Sequence, residues 1–389
     1  MNLSDLRPLI LAMSFHPTNG GAVIYDAGEK RLFALNTSAA FVWQAIRDGD
    51  TRPTVRSELA TAFDLADDEA ESWIDQVLAS FAQAMQQDQV KAAADHDQAV
   101  SPPVSMPLTG TDYTLLGQTV RISAPDAALE LIDSMMGDLR RSRSDRYPGS
   151  ADLSISIEAR GRDFAVSGMR DRTEVIEPKK LVAEVERRIV QDLIPRVPHF
   201  LAFHAALLQI RGHAVLFPAP SGSGKTTLSA ALAGEGWSYM TDEMALLDRN
   251  LTWQGLPFPP CIKAENYPLI EALHPGLRDA VEHDRFGRRI KFLPLLVHTE
   301  GVAVSTVVFP EYGVEAVGSL KALPPLEGLQ RLLMQCMYVP PGFSTDDIPN
   351  LLGWHETIEY YALTFRSPQA AVQLLCQMLE SLVGSLVAK

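Results

Sequence analysis

Lys225, Thr226, Asp242, Glu243 and His204 are the residues of this chain whose types and spacing could do chemistry together. Lys225 and Thr226 lie in the run Leu216–Leu232, LFPAPSGSGKTTLSAAL, where a short apolar stretch leads into Pro, Gly and Ser and then into an alanine-rich helical pattern. The run matches the phosphate-loop form G-x-x-x-x-G-K-[ST], except that Ala219 stands where the first glycine usually stands. Gly222 and Gly224, lacking side chains, let consecutive backbone N–H groups turn inward toward phosphate oxygens. Lys225 would reach the β- and γ-phosphates and Thr226 would offer its hydroxyl to Mg²⁺. Thr227 helps begin the helix whose positive end faces the anion. The pattern therefore predicts a nucleoside triphosphate on Ser221, Gly222, Ser223, Gly224, Lys225, Thr226 and Thr227.

Asp242 and Glu243 follow the extended run WSYM soon after the loop, whereas motor-type ATPases place their metal-binding aspartate much farther along. The transporter signature LSGGQ is absent. Phosphoryl transfer needs charge neutralisation, in-line positioning and an acceptor for one proton, and these residues can supply all three. His204, in FHAALL, precedes the loop; a histidine among apolar neighbours is also compatible with a plain core role.

The elements that must position these residues alternate between strand and helix patterns. "ALLQI", Arg211-Gly212 and "HAVLFPA" read as a hairpin entering the phosphate loop, and Gly234 and Gly236 end the helix after it. Upstream, "YTLLGQTVRIS" and "ADLSISIEARGRDFAVSG" alternate like strands, and Pro178 opens a helix with Val182, Val185, Ile189 and Leu193 on one face. The chain closes on a helix striped by Val372, Leu375, Leu379, Leu382 and Leu386. In the front part, "GAVIYDAGEKRLFAL" reads as two strands around an Ala-Gly-Glu-Lys turn. Asn36 or Ser38 caps a helix through Trp43, "TVRSELATAF" forms a second, and Asp67 opens a third that buries Trp73, Val77, Leu78, Phe81 and Met85. Residues 91–112 hold three prolines and no periodicity, which predicts a linker.

Composition bounds the rest. A chain of 389 residues with 46% hydrophobic and 21% charged side chains predicts two or three globular domains. Acidic residues outnumber basic ones, 48 to 34, and the net charge of −14 argues against nucleic acid as the main partner. The three cysteines are odd in number and widely spaced, so free thiols in a reducing cytoplasm are expected and no zinc site. No apolar run approaches the ~18 residues that span a bilayer, so no membrane partner is expected. "RPLILAMSF" lacks a cleavage pattern and is read as a first strand or anchoring segment.

The run from VIYD through RLFALNTSAAFVWQAI, with the helical pattern behind it, resembles the PqqD family, peptide-recognition elements for ribosomally made, modified peptides. That resemblance implies a winged-helix-like α+β module over residues 1–90 that holds a leader peptide as an added strand at a sheet edge. There backbone hydrogen bonds give affinity and alternate side-chain pockets give selectivity.

The stretch FHAALLQIRGHAVLFPAPSGSGKTTLSAALAGEGWSYMTDEMALL, with a weaker echo in VVFPEY, resembles the HPr serine kinase family, whose catalytic part folds like phosphoenolpyruvate carboxykinase. The resemblance implies an α/β multi-domain chain with a P-loop kinase core over 113–389, β-rich over 113–200 and carrying the loop over 201–389. It implies ATP and Mg²⁺ as cofactors, Asp242 as the acid that accepts the substrate hydroxyl's proton, and Glu243 as a second acid supporting metal or positioning. Lys225 binds the β/γ-phosphates, Thr226 contributes to Mg²⁺, and His204 lies beside the phosphate site. Two departures stand out. Glu243 replaces a second aspartate, and the arginine-bearing signature of the bifunctional kinase/phosphorylases is missing, so dephosphorylation is not expected.

Together the halves imply an ATP- and Mg-dependent serine or threonine kinase acting on a precursor peptide whose leader the front module holds. A regulatory kinase of a folded protein such as a phosphocarrier, and a nucleotide-gated peptide-binding scaffold, are the alternatives. Lys263 and the basic run DRFGRRIK (Arg285, Arg288, Arg289, Lys291) are secondary candidates for phosphate or substrate contact, the run being read chiefly as a solvated loop. No oligomer signature is visible.

Overall fold

The computed structural model describes residues 3–86, 108–141, 151–168 and 173–387. The chain is a mixed α/β, multi-domain protein of two compact units, Met1–Asp95 with Ala322–Tyr360, and His96–Lys321 with Tyr361–Lys389. The first unit thus takes in a stretch, Ala322–Tyr360, that the sequence groups with the catalytic part.

The first unit begins with helix α1 (Leu3–Leu11) and strands β1 (Ser14–Thr18), β2 (Gly21–Asp26) and β3 (Arg31–Asn36) in the order β1-β2-β3. Helices α2 (Thr37–Asp48), α3 (Arg52–Phe63) and α4 (Asp67–Gln86) follow. The module thus has three strands and four helices where two and three were expected. "RPLIL" is helix, not strand: Leu3, Leu6 and Ile10 share a buried face, and this burial outweighs the hydrogen bond that Pro8 removes inside the helix. Asn36, not Ser38, caps α2, accepting from Ala39 N at 2.9 Å, which is worth about 1 kcal/mol. Trp43, fully buried, meets Phe81 edge-on at 5.2 Å and Phe33 at 5.9 Å. Burial of a ring of this size contributes about 3 kcal/mol. Met85 lies outside the described side chains.

In the second unit, strands β4 (Thr109–Leu115), β5 (Gln118–Ala124), β6 (Leu153–Arg160), β7 (Asp163–Ser167) and β8 (Glu174–Ile176) form one sheet in sequence order, with helix α5 (Asp126–Met136) between β5 and β6. The expected linker falls mostly outside the described residues, and its end, from Thr109, is already strand β4. Helix α6 (Leu181–Leu193) buries Val182, Val185, Ile189 and Leu193 as its spacing predicts. Strand β9 (Leu201–Phe203) is followed by β10 (Ala205–Ile210) and β11 (His213–Pro218), an antiparallel hairpin turning on Arg211 and Gly212, both at positive φ. Helix α7 (Lys225–Gly234), β12 (Ser238–Thr241), β13 (Ala245–Leu247), β14 (Trp253–Gly255) and β15 (Cys261–Lys263) come next. After helix α8 (Tyr267–Leu273), strands β16 (Glu282–Arg285) and β17 (Arg288–Phe292) join β15 in a three-stranded sheet with β17 in the middle. The basic run is therefore a β-hairpin and not a loose loop, because its residues pair from Glu282↔Lys291 to Arg285↔Arg288.

Strands β18 (Val304–Tyr312) and β19 (Ser319–Ala322) lead to the returning stretch of the first unit, which holds helix α9 (Pro325–Leu333), β20 (Cys336–Tyr338) and helix α10 (Ile348–His355). Helix α9 lies against β3, where Gln330 Nε2 donates to the Ala34 carbonyl at 3.3 Å. Strand β21 (Glu359–Phe365) and helix α11 (Pro368–Val387) end the chain. The central sheet of the second unit runs β12-β10-β11-β18-β21-β19, with β11 parallel to β18. Its core joins Leu228 and Leu232 of α7 to Leu375 and Leu379 of α11 across the sheet residues Val215, Phe217 and Leu363.

Candidate active site

The phosphate loop leaves the buried end of β11 at Pro218 and returns as α7 at Lys225, so the strand–loop–helix order gives the helix N-terminus to the site. Gly222 and Gly224 sit at φ +90° and +86°, a left-handed backbone that side chains rarely adopt. Ala219 is buried with an ordinary φ, so the residue that departs from the usual glycine meets no backbone requirement for one. The loop is braced from behind, where Tyr312 N donates to the Ser223 carbonyl at 3.1 Å. The Ser223 hydroxyl is buried and has no hydrogen-bond partner among the described residues.

Lys225 is buried, and its Nζ donates to the Ala219 carbonyl at 3.3 Å. Burial pushes its ammonium down to about 8, against the pull of Asp242 and Glu243. Asp242, at the end of β12, is 5% exposed. Burial raises its pKa, and hydrogen bonds from Thr226 and Tyr239 work the other way. Thr226, at the start of α7, is thus near enough to Asp242, just after β12, to favour its ionised form. The sequence places both residues in one site, and the structure brings them together. Glu243 is more open, with a side chain 35% exposed. His204 occupies the bend between β9 and β10, and burial together with the Lys225 charge pushes its imidazole down to about 4, so it is neutral at neutral pH. Ser221 and Gly222 are exposed and Thr227 is half-buried. Lys263 lies in β15 opposite Ile290. Lys291 Nζ donates to the Leu277 and Arg278 carbonyls and lies over the Tyr267 ring.

Three participants were not singled out from the sequence, or not in this role. The Tyr239 hydroxyl stands 2.7 Å from Asp242 Oδ1. Glu186, on α6, is buried. Arg285, on β16, places its guanidinium 3.0 Å from Glu186 Oε1 and 3.2 Å from Glu243 Oε1. Burial drives the Glu186 carboxyl up to about 7, more than the Arg285 charge draws it down. Burial works against the Arg285 charge as well, but the two carboxylates overcome it and raise its pKa. One signal could have found Glu186: it interrupts the apolar stripe of α6 one turn after Val182.

Chemically, the site offers a backbone cradle, a cation, and carboxylates of unequal exposure. Among the described residues, no group of three or more His, Cys, Asp or Glu could hold a metal alone. Mg²⁺ takes one or two carboxylates and completes its shell from phosphates and water. The Thr226 hydroxyl with Asp242 and Glu243 fits such a donor set.

Residues 21–85 match the family model of coenzyme PQQ synthesis protein D (PqqD). No curated protein matches the chain. Among solved structures, the chain is similar to the Hpr(Ser) kinase/phosphatase from Coxiella burnetii, at 12% identity and a TM-score of 0.25, over 48% of this chain and 95% of that one. No described helix is long and apolar enough to cross a membrane. The family match covers β2, β3 and the three helices after them, and residues 21–85 are a PqqD domain.

Proposed function

We propose that this protein is an ATP- and Mg²⁺-dependent kinase that phosphorylates a serine or threonine hydroxyl of a ribosomally made precursor peptide whose leader is held by its PqqD domain. The observation that carries the reading is the Thr226–Asp242 pair behind Lys225. It sets the phosphate-loop hydroxyl beside a buried carboxylate, an arrangement that suits Mg²⁺ on a bound triphosphate with a proton acceptor next to it. The loop amides and Lys225 would hold the triphosphate, and Thr226, Asp242 and Glu243 would hold Mg²⁺, which supplies charge neutralisation. Asp242 takes the proton of the acceptor hydroxyl, its raised pKa keeping it basic enough to do so. His204, neutral beside Lys225, leaves the phosphate charge to the lysine.

The PqqD domain supports the substrate class. A leader held at one end of a chain raises the acceptor's local concentration to roughly millimolar, so the transfer site needs little sequence recognition of its own. Mass spectrometry of the full chain with Mg-ATP and the precursor peptides encoded beside its gene tests the reading. One added phosphoryl group is expected, lost in Lys225→Ala and in Asp242→Asn. Nucleotide turnover with no phosphopeptide, or transfer that persists in Asp242→Asn, would overturn it.

A further inference from the structure

The hairpin β16–β17 is built against folding economy at its tip. Its two-residue turn is Phe286-Gly287, with φ +54° and +78°. A turn of this hand prefers Asn or Asp at the first position, and a left-handed backbone at an aromatic residue is disfavoured. The Phe286 ring is 80% exposed, so it gains little from burial in return. Arg288 is exposed and makes no ion pair among the described residues, and Arg289, 70% exposed, has only a 3.6 Å contact with Glu282. These costs accumulate at one place, next to Arg285, whose guanidinium bonds Glu243 of the candidate site. A local rule broken without a packing gain marks a functional position more often than a folding one.

We propose that this tip, Phe286 with Arg288 and Arg289, docks the acceptor segment of the substrate, and that the segment is an acidic peptide with an apolar side chain near its hydroxyl. The proposal rests on the phosphotransfer reading. Charge complementarity carries the choice of occupant: in a chain of net charge −14, the exposed Arg288 and Arg289 outnumber the turn's one carboxylate, Asp284, whose Oδ1 accepts from Gly287 N at 2.8 Å, and they stand beside an exposed ring. Phe286 supplies contact area at low entropy cost, and the arginines take carboxylates on either side of the hydroxyl. Arg285, held between Glu186 and Glu243, fixes the hairpin's distance from the site.

A positional-scanning library of short peptides around a fixed serine, presented with Mg-ATP to the full chain, reads this directly. The wild-type chain is expected to favour Asp or Glu and one apolar residue near the serine. Arg288→Glu with Arg289→Glu should abolish the acidic preference and lower kcat/KM for acidic members by about tenfold or more. Phe286→Asn suits the turn better, so its thermal midpoint should not fall, yet the apolar preference should disappear. Unchanged selection in both variants, with transfer intact, overturns the docking role alone. So does a change in oligomeric state without a change in selection, which would make the tip a contact between copies. No transfer to any library peptide while the leader-bearing precursor peptides are phosphorylated overturns this inference alone, and no transfer to either overturns the kinase reading and this inference with it.

Discussion

The hydroxyl of Tyr239, a fully buried residue of β12, stands 2.7 Å from Asp242 Oδ1 and 3.1 Å from the Phe258 carbonyl. Its bond favours the ionised form of Asp242, opposing the burial that raises the pKa. Tyr239→Phe removes that bond and leaves two buried oxygens short of a donor, at a cost of about 1–3 kcal/mol. The Asp242 pKa rises further, so the acid limb of the pH–rate profile should move to higher pH while the fold persists. A profile that stays in place in Tyr239→Phe would remove Asp242 as the titrating base.

Gly224 combines two demands. Its φ is +86°, and a Cβ there would lie 3.0 Å from both Phe365 Cζ and Tyr312 Cβ. Gly222, at φ +90°, has nothing within 4 Å. Gly224→Ala therefore displaces the loop from its brace, and nucleotide affinity should fall more than tenfold, about 1.4 kcal/mol. Gly222→Ala should lose less. Calorimetric titration with ATP ranks the two, and equal losses would mean that backbone strain alone governs the loop.

Local pattern made much of this site legible. The β10–β11 hairpin, the phosphate loop and the acidic pair after β12 are each written in contiguous residues, and periodicity placed α6 and the helices behind Trp43. What failed to show was non-local or opposed. Pro8 and the shortness of α1 hid a helix that forms only because Leu6 and Ile10 find a core. Arg285 and Glu243 are 42 residues apart, and only the pairing of β16 with β17 and β17 with β15 brings them together. The assignment of Ala322–Tyr360 to the first unit depends on contacts such as Gln330 with Ala34, which no spacing encodes.

Glu186 gives stability a pH dependence of defined sign. Its folded pKa of about 7 lies above the ordinary carboxylate value of 4.5, so between these values the folded state binds more protons than the unfolded one. Its contribution is therefore fully present below pH 4.5 and is lost as pH rises to about 7. Glu186→Gln keeps the shape without the charge. The variant should match the wild type near pH 5 and exceed it in thermal stability at pH 7.5, by about 3 kcal/mol at most. A stability difference independent of pH would show that Arg285 keeps Glu186 ionised throughout.

Strand addition to the PqqD domain requires an open edge, and its two outer strands are unequal. Pro17 leaves β1 one backbone donor short, which makes it a poor template. Strand β3 carries no proline, but Gln330 of α9 already donates to the Ala34 carbonyl. A leader pairing with β3 must displace that side chain, giving up a bond worth about 1 kcal/mol. Gln330→Ala should therefore tighten leader binding about fivefold, measured by fluorescence anisotropy of a labelled precursor peptide on the full chain. Weaker binding in the variant would instead make Gln330 part of the peptide's seat, and unchanged binding would move the leader to β1.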